Sequence, residues 1–423
     1  MNTPYNNFAP RFGVAYSPDA KTVIRAGFGI FYSQDNSNST FFDLGRNLAA
    51  RNTKNATTNI ADLNYNNAFP SGGTTLTVTR PYAYSVNPLH HTAYTMQYLL
   101  NLQRQFGNSW SVEVGYLGSM SHHLAGFTNQ NEGLPSPTGT ALSHIPFGNY
   151  NFIQSVEDGV NAAYNALALK VTKRFSGGFS MTAAYTHSVS LDSSSGIRVQ
   201  GYDTLFPQNS YCVRCERGLS SFDTRDRLVV APLYELPIGK GKLLNIDNSV
   251  MNAIVGGWQL GGIFTLQGGV PQTITIGGRD NSNTQSGYDR PNATGISSAI
   301  DNPKPGGWYN RDAYVMAPFG QFGTTGRNTA IAPGVFTINA EIHKNIRMPY
   351  NEHHQLQFRL EAFNALNHPN FGQPAANILQ GAQAPGKSFN DPHLGFGVIS
   401  TLAGGAVPTI PMRQLQVGLK YTF

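Results

Sequence analysis

The sequence predicts an all-β chain, an antiparallel transmembrane β-barrel with long loops at one end. Three observations predict it: segments in which apolar and polar residues alternate, short turns that join those segments in pairs, and a composition poor in charge. Residues 413–423 show the alternation most plainly. Leu415, Val417, Leu419, Tyr421 and Phe423 fall on one face, and Gln414, Gln416, Gly418, Lys420 and Thr422 on the other. A period of two belongs to a strand with one apolar and one polar surface, which suits lipid on one side and water on the other.

Composition supports this reading. Charged residues make up 12% of the 423 residues, half of what a soluble enzyme carries, while there are 45 Gly, 20 Tyr and 25 Phe. No apolar run reaches the length of about 18 residues that a membrane helix needs, whereas barrel strands evade such a search because every second residue is polar. The net charge is +6, but Lys and Arg are scattered along the strands without a basic block, so no nucleic-acid partner is expected.

The paired segments follow in order. Residues 12–16 and 24–32 flank a turn at 17–21; 94–106 and 110–120 flank 107–109; 167–175 and 179–187 flank 176–178. Residues 228–236 and 258–266 flank a longer linker containing Gly239-Lys-Gly-Lys242, and 336–343 and 356–363 flank 348–352. The pairs count about ten strands. Keeping Phe106 and Trp110 on one face demands a three-residue loop, and Phe175 and Phe179 give the same expectation across Ser176-Gly-Gly. If the last strand ends in the periplasm, every short turn is periplasmic. The long segments 34–91, 123–163, 188–223, 277–334 and 364–412 are then extracellular. The polar faces carry Arg25, Gln103, Glu113, Lys170, Gln259, Arg359 and Glu361 toward a lumen. The opposite faces carry Ile24, Phe28, Val114, Leu260, Phe264 and Leu360 toward lipid.

Several segments resemble a known family. Phe8-Ala-Pro-Arg-Phe-Gly-Val-Ala-Tyr16 with residues 22–32, and residues 216–227, look like the middle barrel of TonB-dependent receptors of the Oar-like type. Phe322-Gly-Thr-Thr-Gly-Arg-Asn328 and Arg359-Leu-Glu-Ala-Phe-Asn-Ala-Leu-Asn-His-Pro-Asn-Phe-Gly372 resemble its late strands, and residues 413–423 its last strand. The resemblance implies an integral bacterial outer-membrane protein, the carboxy-terminal part of a larger barrel of about 22 strands. It implies import of a scarce small-molecule or oligomeric nutrient, with outer-membrane lipid, the barrel-assembly machinery and the TonB complex as partners. TonB would act only through amino-terminal parts not recognised here. Residues 1–423 read as one barrel segment without a plug, a carboxypeptidase-regulatory-like domain or a signal peptide, hence as a fragment unable to transport alone. The aromatic terminus, with Leu419, Tyr421 and Phe423, resembles the signal that assembly machinery recognises.

No catalytic motif is found, so the chain is not read as an enzyme, and no cofactor or resident metal is expected. Alternatives are a self-contained small porin and a rim hydrolase using Asp223, Asp226 and His187. Tyr150, Tyr202, Tyr211, Tyr288 and Trp308, on aromatic and Asn-rich loops, are candidate ligand contacts. His91 and His123, each from a paired histidine at the mouth, are further candidates, placed diagonally on adjacent strands. Cys212 and Cys215, the only cysteines, cannot alone form a four-ligand zinc site and read as a loop disulfide of an oxidising compartment.

Overall fold

A computed structural model describes residues 7–33, 80–89, 91–196, 204–348, 351–380, 395–403 and 412–423. One sheet of thirteen strands dominates it. In chain order the strands are β1 Arg11–Asp19, β2 Thr22–Tyr32, β3 Tyr82–Val86, β4 Tyr94–Phe106, β5 Trp110–Asn129, β6 Phe152–Ser176 and β7 Phe179–Asp192. They continue with β8 Gly218–Leu219, β9 Asp226–Glu235, β10 Trp258–Gln267, β11 Val335–Met348, β12 Asn351–Phe363 and β13 Gln414–Thr422.

Eleven of them form one antiparallel meander, β1-β2-β4-β5-β6-β7-β9-β10-β11-β12-β13. Outside that path, β3 runs parallel to the outer end of β6 and β8 pairs with β7. The count of ten from hairpin pairs is thus one short, because β13 has no hairpin of its own. Its partner β12 ends about fifty residues earlier. Among the described residues, β1 pairs only with β2 and β13 only with β12.

The register carries the alternation across the whole wall. Ile24, Leu102, Val114, Leu169, Tyr185, Leu228, Leu266 and Phe336 stand opposite one another in a single row over eight strands. One residue along, Gln103, Glu113 and Lys170 make a polar row on the other face. A slip of one residue anywhere would turn a strand's apolar set toward the lumen, so the pattern itself fixes pairing. The apolar face is left open: Leu100 is 55% exposed, Leu266 56% and Leu419 69%. A continuous band of this kind requires an apolar solvent.

The lumen face is instead joined by hydrogen bonds. Arg25 donates to Gln103 at 3.1 Å and Asn101 to Glu113 at 2.8 Å. Farther round, His343 meets Gln259 at 2.8 Å and Arg359 reaches Glu361 at 3.2 Å.

Two turns test the hairpin expectations. Phe106 does stand opposite Trp110 across residues 107–109, with Gly107 in the left-handed region at φ 55°. The second expectation is corrected: Ser176, not Phe175, pairs with Phe179, leaving a two-residue turn. Gly177 and Gly178 both have positive φ, 61° and 77°. That combination suits the two-residue hairpin whose twist matches the strands. A bulge between Lys173 and Ser176 absorbs the odd residue. In the linker before β10, helix α1 Ser249–Val255 is capped by Asn248, whose side chain accepts from Val250 N and Met251 N, both at 3.0 Å.

The described parts of the long connections lie at the opposite end of the wall from these turns. Some are shorter than the alternation suggested, since β5 runs on to Asn129, β6 begins at Phe152 and β7 reaches Asp192. The dry core of the molecule lies there, outside the band. One cluster joins Ile274, Ile276, Tyr309, Tyr314, Ile378 and Leu379, and a second joins Phe127, Val156 and Phe206.

Candidate functional site

The outer segments are folded into a cap, held by buried charge. Glu216 accepts two bonds from the Arg290 guanidinium, at 2.5 and 3.0 Å, and a third from Gln208 N at 3.1 Å. Arg327 pairs with Asp192 at the end of β7 and donates through Nε to Glu216 O at 2.9 Å. A planar, always-charged guanidinium with several donors suits such an enclosed junction. Asn328, φ 53°, exchanges bonds with Thr273 and donates to Leu219 O at 2.7 Å. The chain 322–328, which resembles a family motif, therefore locks one loop to strand β8.

Two deeply buried carboxyls in the cap, Glu132 and Asp289, have no cationic partner among the described residues. Glu132 accepts from Ser210 N at 2.9 Å, and Asp289 from Ser282 N at 2.6 Å. Their second oxygens are buried without a hydrogen-bond partner among the described residues. Burial pushes the Glu132 carboxyl up to about 7 and the Asp289 carboxyl up to about 6.

Beside the second apolar cluster opens a pocket of about 390 Å³. Its wall is aromatic, from Tyr82 and Tyr84 on β3, Phe152 at the start of β6, Phe206 and Tyr288. Asn151, Gln154 and Gln285 supply amides, with Ser286 and Gly287. Phe152 meets Phe206 edge-on at 4.9 Å, and Tyr288 lies 5.2 Å from Phe206. Four separate outer segments thus build one concavity with flat apolar faces and a few polar groups, the usual make-up of a small-molecule site.

Of the sequence-named contacts, Tyr288 lines this pocket, and Tyr150 is the neighbour of its Asn151. Tyr211 donates to Glu132 O at 2.5 Å and is not among the pocket's lining residues. Trp308 packs on the first apolar cluster and donates to Ile331 O at 3.1 Å, so it sits apart from the pocket. Tyr202 lies outside the described residues. Cys212 and Cys215 are joined as a disulfide in the cap. Leu419 and Tyr421 are on the open apolar face of β13, and Phe423 follows it, 88% exposed.

Tyr82, Tyr84, Phe152, Phe206 and Gln285 were not singled out from sequence. Only the alternation Tyr82-Ala-Tyr84-Ser-Val86 could have flagged any of them, as a short strand inside a long loop. The others meet only through the folding of the cap.

The rim acids have different partners. His187 contacts Asp226 at 2.8 Å, and Tyr185 donates to the same carboxylate at 2.6 Å. Asp223 is buried, accepts from Ser190 N at 2.6 Å and lies 3.7 Å from Arg225. His187 and Asp226 stand opposite each other in the row parity of the apolar face, outside the lumen. The histidines of the mouth do converge: the His91 and His123 rings lie 4.9 Å apart, and His91 Nδ1 is 2.5 Å from Asp158.

Among solved structures, the chain is similar to the pyoverdine outer membrane receptor FpvA from Pseudomonas aeruginosa PAO1 (10% identity, TM-score 0.46), covering 98% of this chain and 36% of that one. It is similar to the outer membrane transporter YddB from Escherichia coli (10% identity, TM-score 0.48), covering 98% and 40%. It is also similar to the FrpB iron transporter from Neisseria meningitidis (11% identity, TM-score 0.44), covering 99% and 39%. The chain spans less than half the length of each of these proteins. Among curated proteins no match is found. Residues 1–416 match the outer membrane beta barrel domain, so the chain belongs to that family and is an integral protein of the outer membrane.

Proposed function

We propose that this chain is the carboxy-terminal portion of the barrel of a TonB-dependent receptor of the Oar-like type, importing a scarce nutrient across the outer membrane. The observation that carries the reading is the aromatic pocket, assembled by outer segments at the mouth of a wall whose two edge strands each have a single described partner. An open wall exposes unpaired backbone groups and is relieved by further strands from the same barrel. On this reading the plug and the segment that engages TonB lie in chain beyond these 423 residues, and these residues alone support no coupled uptake.

The pocket suggests the ligand's chemistry. Its described lining has tyrosines and amides but no carboxylate, Lys or Arg. Flat aromatic faces stack on rings, and amides bond hydroxyl or carbonyl groups. A neutral ligand with a ring, a sugar or an aromatic compound, fits best.

Immunoblotting of isolated outer membranes with an antibody to residues 277–334 tests the reading. A band far above 45.9 kDa is expected. A heat-shifting band near that mass, with steady conductance in planar bilayers and no partner protein, would replace it with a passive porin.

A further inference from the structure

We infer that His91, His123 and Asp158 form a binding site for a divalent first-row transition metal ion at the outer end of β4, β5 and β6. One ligand atom from each residue lies within 4.8 Å of the other two. Exposed histidines are ordinary at a protein surface, but three features set these apart.

The first is the way the strands deliver them. The β5–β6 ladder breaks its register twice, between Ser121 and Leu124 and again between Leu124 and Gly126. At the first break β5 carries the extra residue, and at the second β6 does, so the original register returns by Gly126 opposite Glu157. The two bulges cancel and leave the wall's alternation unchanged. Their local effect is to re-aim the residues inside them, His123 on one strand and Asp158 on the other. Bulges are over-represented at barrel rims and beside functional sites, where they re-aim a side chain.

The second feature is backbone cost. His123 has φ 57°, the left-handed region, where a Cβ crowds the backbone and a residue other than Gly is disfavoured. In return its ring stands 4.9 Å from that of His91. Such conformations gather where a geometry is being held for a ligand.

The third is orientation. Asp158 Oδ2 accepts from both the His91 backbone N, at 2.7 Å, and its ring Nδ1, at 2.5 Å. A carboxylate bonded to one ring nitrogen fixes the tautomer and leaves the other nitrogen to bind a metal, the usual support for a metal-bound histidine. Alternatively the carboxylate enters the coordination sphere itself. Both arrangements use this same trio.

Two imidazoles and one carboxylate select zinc, copper or nickel over calcium or magnesium, which prefer all-oxygen sites. The His91 side chain is 66% exposed and that of Asp158 13%. A bound ion would keep open positions toward the mouth for water or for a donor group of an incoming ligand. This site lies on different residues from the aromatic pocket, and it does not depend on the receptor reading.

The test uses the native protein purified from outer membranes in detergent, stripped with a chelator and titrated with Zn²⁺ and with Cu²⁺. One ion per chain is expected, and the Cu²⁺ electron paramagnetic resonance spectrum should show coupling to two imidazole nitrogens. His91→Ala and His123→Asn should each weaken Zn²⁺ binding by roughly tenfold to a hundredfold; Asn is chosen because it tolerates the left-handed conformation. His144→Ala, elsewhere in the outer loops, should leave binding unchanged. A wild-type copper spectrum without nitrogen coupling would overturn the inference whatever the variants do. So would Zn²⁺ affinity that survives in the His91→Ala/His123→Asn double variant.

Discussion

Arg290 holds Glu216 in a two-bond fork although 74 residues separate them, and their side chains are 6% and 2% exposed. Removing two charges from water is costly, and the fork offsets that cost only while both partners are present. Arg290→Met should therefore destabilise the cap by about 3–5 kcal/mol. Cleavage by added protease within residues 205–216 should speed up, while hydrogen exchange in β4, β5 and β6 stays unchanged. Arg290→Met with Glu216→Leu should recover most of the loss. A double variant as fragile as the single one would contradict the buried-charge explanation.

Acidity should tighten the cap. Burial raises the Glu132 carboxyl from 4.5 to about 7 and the Asp289 carboxyl from 3.8 to about 6. A carboxyl raised on folding binds its proton more tightly in the folded state than in the unfolded one. Its ionisation penalty is absent below the unfolded value and complete above the folded one. Stability of the cap should thus fall as pH rises from about 4 to about 7. Amide exchange in residues 280–290, corrected for the intrinsic pH effect, should show more protection at pH 5 than at pH 8. In Glu132→Gln that difference should shrink, with a gain in protection at pH 8.

Gly118 is set by Tyr98, its direct neighbour across the β4–β5 ladder. A Cβ at Gly118 would overlap the Tyr98 ring. The Tyr98 hydroxyl donates to Asn165 at 2.9 Å, as does that of Tyr116 at 2.7 Å, so the ring cannot swing away without loss. Gly118→Ala should cost on the order of 1–3 kcal/mol by overpacking. The loss should appear as a lower temperature for the heat-induced mobility shift of the folded protein. Adding Tyr98→Ala should relieve part of it.

Phe423 follows β13 with its ring almost wholly exposed and 6.3 Å from Tyr421. If assembly machinery reads this end, Phe423→Ala should lower the outer-membrane level several-fold at equal synthesis. Equal membrane levels would show that the terminal ring is dispensable.

Strand positions were legible because each requires only local information. Alternation gave the faces, and turn residues gave most pairings. The Ser176-Gly177-Gly178 turn was misjudged by one residue because two adjacent glycines permit a tighter hairpin than side-chain parity implied. The outer extensions of β5 and β6 were read as loop because Ser121, His122 and His123 interrupt the alternation, and the cancelling bulges that carry the ladder past them leave no sequence period. His91 and His123 could be foreseen as neighbours across adjacent strands. Asp158 could not, since it reaches them only through the second bulge.

The sequence by itself determined the wall: which residues face lipid, which face the lumen, and at which end the long segments lie. Period-two patterning fixes these from neighbours two residues apart, and a slip in register would expose the wrong face along a whole strand. Only the tertiary structure decided the cap, the Glu216–Arg290 fork, the elevated Glu132 and the pocket joining Tyr82, Phe206 and Tyr288. Those contacts link irregular segments tens to hundreds of residues apart, where no periodicity constrains which side chains meet. Their partners are chosen by burial and by the need to satisfy each buried charge once the wall has brought the loops together.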